Sequence, residues 1–274
     1  MRMLRYVSGT GGEAVELDVP SLSLGTACAL RGRAWSYTLG YRGMSGLSRD
    51  AREVEVSATF QGRGVYDRSR RVFDRDVAMM TPGTLVWMGE WETAAYVVKS
   101  EPDAIFHGTV EASMTFILVD GVWRKQVSRS FNPHAEAEDE YLDLPYDLPY
   151  DLGSVQAETE VQGPEWMPSP VRITIYGPAS SPSVTIGGNT YSVDCDVPSG
   201  GYLVIDGLEL TVTEVAADGT RTNRINEAEK GSGEGSGEYI FERIMPGAQP
   251  LSWPHSFGFD LAYWIEEGEP PCTW

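Results

Sequence analysis

EVEVSATF, residues 53–60, is the stretch on which the fold turns. Val54, Val56, Ala58 and Phe60 alternate with Glu53, Glu55, Ser57 and Thr59. A period of two puts four apolar groups on one face of an extended strand and four polar groups on the other. Val110, Ala112, Met114 and Phe116 repeat the pattern, with Glu111, Ser113 and Thr115 turned the other way. Shorter apolar runs at 85–88 and 96–98 are bounded by Pro82-Gly83 and by residues 99–102. Asp120-Gly121 marks a turn, and a last strand is predicted over 122–131.

One stretch breaks this pattern. In 66–80, Phe73, Val77 and Met80 fall at i, i+4 and i+7, the spacing of one face of a helix of about three turns. Thr81-Pro82-Gly83 stops it, because Pro disfavours helix in the residue before it and Gly accepts a reversed φ. Residues 1–131 thus read as a β-sandwich or sheet with one α-helix packed on it. From residue 166 the pattern is β again. Ile173 and Ile175, then Val184 and Ile186, alternate with threonines, and Gly187-Gly188-Asn189 reads as a hairpin turn. Strands follow at 202–206 and 208–215, with Asp218-Gly219 as the next turn. GSGEGSG (231–237) reads as a solvated loop. Tyr239, Phe241 and Ile244 resume the pattern, and Phe257, Phe259, Leu261 and Tyr263 close it. About eight short strands with regular turns predict a second β-sandwich over 166–274. The fold class is mainly β.

Between the two lies an acidic segment, 132–165, containing DLPYDLPYDLG (143–153). Pro145 and Pro149 favour an extended, semi-rigid strap. Tyr146 and Tyr150 give it flat apolar faces with polar tips. Two readings stay open: a plain linker, or a strap whose Pro145, Tyr146, Pro149 and Tyr150 dock on a neighbouring domain or subunit.

Charge divides the chain at the same place. Residues 1–130 carry 16 Lys and Arg against 15 Asp and Glu, a net +1; residues 131–274 carry 5 against 25, a net −20. Such a chain does not suit nucleic acid or an anionic membrane as a direct partner. The 274 residues, 41% hydrophobic and 11% aromatic, suffice for two packed cores. The three cysteines, Cys28, Cys195 and Cys272, are widely spaced and fit reduced thiols made in a cytoplasm. The first residues lack the apolar run of a signal peptide, and no window is long enough for a spanning helix.

Motifs that carry chemistry are absent. His107, His134 and His255 stand apart, and there is no phosphate loop, nucleophile elbow or dinucleotide fingerprint. No catalytic, cofactor-binding or metal residue is assigned, and no cofactor is expected. Asp194-Cys195-Asp196 reads as a solvated loop edge, with weak Ca²⁺ binding as the sharper alternative. Asp74 and Asp76, each with an arginine nearby (Arg75, Arg71), read as surface ion pairs. Trp166, Trp253, Trp264 and Trp274 are many tryptophans for one small β domain. They suit stacking on sugar rings, though the simpler reading is that they fill the core or an interface.

Several stretches, in order, resemble distal tail proteins of long-tailed (siphovirus-type) phages. CALRGRAWSYTLG (28–40), SRDAREVEVSATF (48–60), residues 70–102 and LVDGVWRKQVSRSF (118–131) are similar to their N-terminal ring domain. DLPYDLPYDLG resembles the linker between their domains. RITIYGPASSPSVTIGG (172–188), GGYLVIDG (200–207) and FERIMPGAQPLSW (241–253) are similar to their C-terminal half. The resemblance implies a non-enzymatic virion protein assembled in the host cytoplasm. Its N-terminal domain closes into a homo-hexameric ring between the tail tube protein and the tail-tip hub. Its C-terminal, galectin-like β-sandwich lies outside, in some members against a receptor-binding protein. Galectin sugar sites need a His, Asn, Arg, Trp and Glu set; this domain has one His, His255, and no such cluster in series, so the likeness concerns shape. The ring reading makes Arg68, Arg70, Arg71, Phe73, Asp74, Val77, Leu85 and Trp87 the candidate subunit interface. The rival readings are a carbohydrate-binding adhesion module, with Trp166, Trp253 and Trp264 as stacking residues, and, more remotely, a glycan-active enzyme.

Overall fold

The structure, a computed structural model, describes residues 4–25, 27–62, 64–133 and 160–271. The chain divides into two compact units: Met1–Lys125 with Glu266–Trp274, and Gln126–Ile265. The first unit opens with β1 (Leu4–Val7), β2 (Ala14–Glu16), β3 (Asp18–Val19) and β4 (Leu22–Leu24). One helical turn, α1 (Cys28–Arg31), leads to β5 (Ser36–Gly40) and β6 (Gly43–Ser48). Then come β7 (Arg52–Gln61), helix α2 (Val65–Ala78), β8 (Gly83–Trp87), β9 (Trp91–Phe106), β10 (Thr109–Leu118) and β11 (Trp123–Phe131).

The pairings in this unit are antiparallel, the main sheet running β2-β1-β8-β9-β10-β7-β4-β3, with the start of β11 also on β9 and with β5 and β6 paired separately. Its two outermost strands, β2 and β3, are consecutive in sequence. Only Leu17 separates them, buried, its N–H donating to the Leu4 carbonyl at 3.0 Å. The sheet therefore curls until both ends meet at one residue, and the apolar face is enclosed. The alternation at 53–60 sets that face: Val54, Val56, Ala58 and Phe60 of β7 are buried, as are Ala112, Met114 and Phe116 of β10. Each large apolar side chain so buried stabilises the fold by about 1.5–3 kcal/mol.

β9 runs through residues 99–102, where a break was expected. The register with β10 shifts on both sides of this stretch, between Thr115 and Phe116 and between Glu111 and Ala112. These irregularities leave Val98 and Asp103 unmatched, and a proline is tolerated where the ladder is already interrupted.

Helix α2 forms as predicted but with another face inward. Ser69, Val72, Phe73 and Asp76 are buried, whereas Val77 and Met80 are exposed. Phe73 packs edge-on against Tyr6, with centroids 5.2 Å apart. The stop also differs. Met80, at φ +52°, takes the left-handed position, and the Thr81 N–H reaches back to the Asp76 carbonyl. Gly83 serves packing instead: a Cβ there would lie 2.3 Å from the Tyr6 ring.

The second unit holds β12 (Glu160–Gln162), β13 (Val171–Tyr176), β14 (Ala179–Ser180), β15 (Ser183–Ile186), β16 (Asn189–Ser192), β17 (Asp196–Val197), β18 (Tyr202–Asp206), β19 (Thr211–Val215), β20 (Arg221–Asn223), β21 (Ala248–Ser252) and β22 (Phe259–Glu267). Here β20-β19-β18-β13-β22 form one sheet and β12-β21-β15-β16 the other. One cluster joins them, with Ile173, Ile175, Leu203 and Phe259 from the first and Val184, Ile186, Tyr191 and Leu251 from the second. That is a β-sandwich. The β15–β16 loop is two residues, Gly187 and Gly188, at φ +60° and +86°, the conformation a twisted two-residue hairpin requires. Residues 239–244 form a turn and irregular backbone in place of the expected strand, with Ile244 alone bridged to Ser169. The Glu242 N–H donates to the Tyr239 carbonyl, and Ile240 and Ile244 are the buried residues.

Candidate assembly surface

In the first unit, β5 and β6 pair with each other and, among the described residues, with no other strand. Both strands are exposed along their whole length. The segment carries six exposed large apolar side chains: Trp35, Tyr37, Leu39, Tyr41, Met44 and Leu47. Tyr41 and Arg42 form the tip between the paired Gly40 and Gly43, and Tyr41 is 101% exposed. The base is fixed. The Arg49 guanidinium lies 4.7 Å over the Trp35 ring, and hydrogen bonds from Ser36 and Ser48 hold the Asp50 carboxyl below its ordinary range. A lone two-stranded hairpin is marginal in water, and clustered exposed apolar groups mark an interaction surface.

A second feature is a groove of about 510 Å³ between the β2–β4 corner and the first half of α2. Val15, Val19, Leu22, Val65 and Val72 line it, with Glu13, Glu16 and Arg68 among the polar lining. Among the described residues β2 pairs only with β1, and β3 only with β4, so the groove lies beside two strand edges open among those residues.

The eight residues expected at an interface do not form one surface. Arg68, Arg70, Arg71, Asp74 and Val77 are exposed on α2. Phe73, Leu85 and Trp87 are core residues, at 2%, 0% and 8% exposure, because the helix and β8 turn these sides inward. Asp74 accepts a hydrogen bond from Arg70 at 3.3 Å and is the surface pair expected of it, with a different arginine. Asp76 is not a surface ion pair. It has no exposed surface. Its Oδ1 accepts the Ser8 hydroxyl at 2.7 Å, the Thr10 hydroxyl at 2.6 Å and the Thr10 N–H at 3.2 Å. Its Oδ2 accepts the Tyr6 hydroxyl at 2.8 Å and the Gly9 N–H at 3.2 Å. Burial alone would raise this carboxyl, but the bonds from Thr10, Ser8 and Tyr6 outweigh it and hold the group below its ordinary range. Burial and the neighbouring carboxylate together push the Tyr6 hydroxyl far up. Asp76 thus ties the turn after β1 to the helix.

In the second unit the tryptophans separate. Trp166 is exposed. Trp253 is buried, its indole N–H donating to the Phe257 carbonyl at 3.2 Å and its ring edge-on to Phe131 and Phe259. Trp264 is buried beneath the Arg172 guanidinium, 5.1 Å from its ring centre. Neither buried ring offers a face to a sugar. Tyr176 and Tyr202 do lie near one another, 6.5 Å apart, and the Tyr176 hydroxyl donates to Asp260 at 2.6 Å, which with burial pushes its pKa up to about 12. Asp194 and Asp196 accept hydrogen bonds from Ser181 and Ser180. Among the described residues no three His, Cys, Asp or Glu side chains converge to hold a metal ion. Pro145, Tyr146, Pro149, Tyr150 and Trp274 lie outside the described residues.

The sequence signal missed the hairpin as a surface because SYTLG alternates only weakly, although every large residue in 35–47 was legible as apolar. No protein-family model matches the chain, and no curated protein matches it. Solved structures do. A chain of the phage p2 baseplate, in its activated conformation with Ca, superimposes with a TM-score of 0.62 at 10% identity, covering 98% of this chain and 100% of that one. The same baseplate with Sr gives the same values. The Dit protein of phage SPP1, described as a paradigm of the hub adsorption apparatus in phages infecting Gram-positive bacteria, gives 0.53 at 11% identity, covering 96% and 99%. The chain shares its fold with these baseplate and Dit chains. At these identities it is backbone arrangement that is shared, and the Dit fold is present here almost from end to end.

Proposed function

We propose that this chain is a structural, non-enzymatic component of a phage tail tip. Copies of it form a hexameric ring that joins the tail tube protein to the tail-tip hub. One observation carries this reading: the likeness in fold to a baseplate chain and to a Dit protein spans nearly the full length of all three. The exposed apolar hairpin supports it, because a heterologous ring needs a surface that fits a different patch on the next copy. Residues 1–131 are the ring-forming part, 132–165 the linker and 166–274 the peripheral sandwich, which is open to a receptor-binding protein. The near-neutral first half packs against its own copies without strong repulsion, while the acidic half stays solvated. Assembly takes place in the host cytoplasm and the product resides in the virion.

Multi-angle light scattering on the full chain, with negative-stain images of the peak, tests this. The expected mass is about six times 30.1 kDa, with ring-shaped particles. A chain that stays monomeric at its highest soluble concentration, without rings, would overturn it. The exposed Trp166 favours a second reading, a carbohydrate-binding module. Specific, competable binding on a glycan array, lost in Trp166→Ala, would support that reading, and an array without signal would remove it.

A further inference from the structure

We propose that the β5–β6 hairpin of one copy docks into the groove between the β2–β4 corner and α2 of a second copy. This rests on the self-assembly reading above and names the two surfaces that meet. Three observations carry it.

The first is need. The hairpin presents Leu39, Tyr41 and Met44 to solvent on a two-stranded ribbon that, among the described residues, no third strand or helix covers. The groove is the matching surface, the half-buried Val15, Val19 and Val65 above the buried Leu22 and Val72, beside strand edges that have no partner among the described residues. The second is charge. Residues 33–49 contain Arg33, Arg42 and Arg49 and no acid, whereas the β2–β3 corner, 13–19, contains Glu13, Glu16 and Asp18 and no base. Across the groove the helix carries Arg68 and, paired with Glu13 at 3.1 Å, Arg75, so the acidic rim lies on the strand side. The tip residue Arg42 therefore meets Glu13 and Glu16 if the hairpin enters with its tip toward that corner. The third is edge chemistry. The hairpin has two open edges, and β2 and β3 have one each, so main-chain hydrogen bonds can extend the sheet across the junction. Hairpin and groove are different patches of one chain. Such a contact repeats head to tail and closes if the rotation allows.

The test uses the full chain with Tyr41 replaced by the photo-cross-linker p-benzoylphenylalanine. Tyr41 is wholly exposed, so folding is not at risk. Cross-links between isotopically distinguished copies are mapped by mass spectrometry. The expected result is inter-copy cross-links within 13–22 and 65–72. In parallel, Arg42→Glu is expected to weaken association roughly tenfold or more, and Glu13→Arg added to it to restore part of the loss. Assembled particles whose inter-copy cross-links fall elsewhere, or whose association ignores Arg42→Glu, overturn the hairpin-in-groove contact and leave the ring reading standing. A chain with neither assembly nor inter-copy cross-links at its highest soluble concentration overturns both.

Discussion

Asp76 shows how one residue ties distant segments together. A carboxylate without exposed surface must be fully hydrogen-bonded or neutral. Here five donors from Tyr6, Ser8, Gly9 and Thr10 converge on it. Asp76→Ala leaves those donors without an acceptor and is expected to cost about 3 kcal/mol or more, measured by urea unfolding. The pH dependence follows from the lowered carboxyl. Its contribution is complete above the unfolded carboxylate value and is lost as pH falls through the folded value. Wild type should therefore lose stability on acidification below about pH 4, and Asp76→Asn should lose less over the same window. Equal slopes for the two proteins would refute the assignment. Nothing local separates Asp76 from Asp74 in the sequence: both stand among arginines on one helix. The distinction comes from a turn 66–70 residues away.

At the scale of elements, the hairpins were legible where glycine dictates backbone, and less so where burial does. Gly188, at φ +86°, was readable as a turn from the dipeptide alone. Gly188→Ala is expected to destabilise the chain by about 1 kcal/mol, because a Cβ disfavours that region even with open space around it. A thermal melt unchanged by it would contradict the turn geometry. The β5–β6 hairpin behaves in the opposite way. Leu39→Ser with Met44→Ser removes side chains that touch solvent, so the melting temperature should hold while self-association falls. A large drop in melting temperature would mean that the hairpin is packed on its own unit. The helix illustrates a phase error. Phe73, Val77 and Met80 satisfy the helical period, but so do Ser69, Val72, Phe73 and Asp76, and a hydrophobicity pattern gives no credit to a buried Ser or Asp.

Across the whole molecule, charge and topology act separately. The second half carries a net −20. Its self-repulsion is screened by salt, so thermal stability should rise between low and moderate ionic strength, by a scan in sodium chloride. A fall would indicate that ion pairs such as Arg172–Asp206 and Arg224–Glu214 dominate. The sequence by itself determined the mainly β class, one helix, read at 66–80 and found at 65–78, the hairpin turns and the charge split, since period, turn chemistry and net charge are local or additive properties. Only the tertiary structure decided that Asp76 is buried, that Trp253 and Trp264 are core while Trp166 is surface, that Phe73, Leu85 and Trp87 face inward, and that the sheet's two ends meet at Leu17. Each of these depends on which distant segments arrive at the same place, and burial and hydrogen-bond partners exist only after the chain has closed on itself.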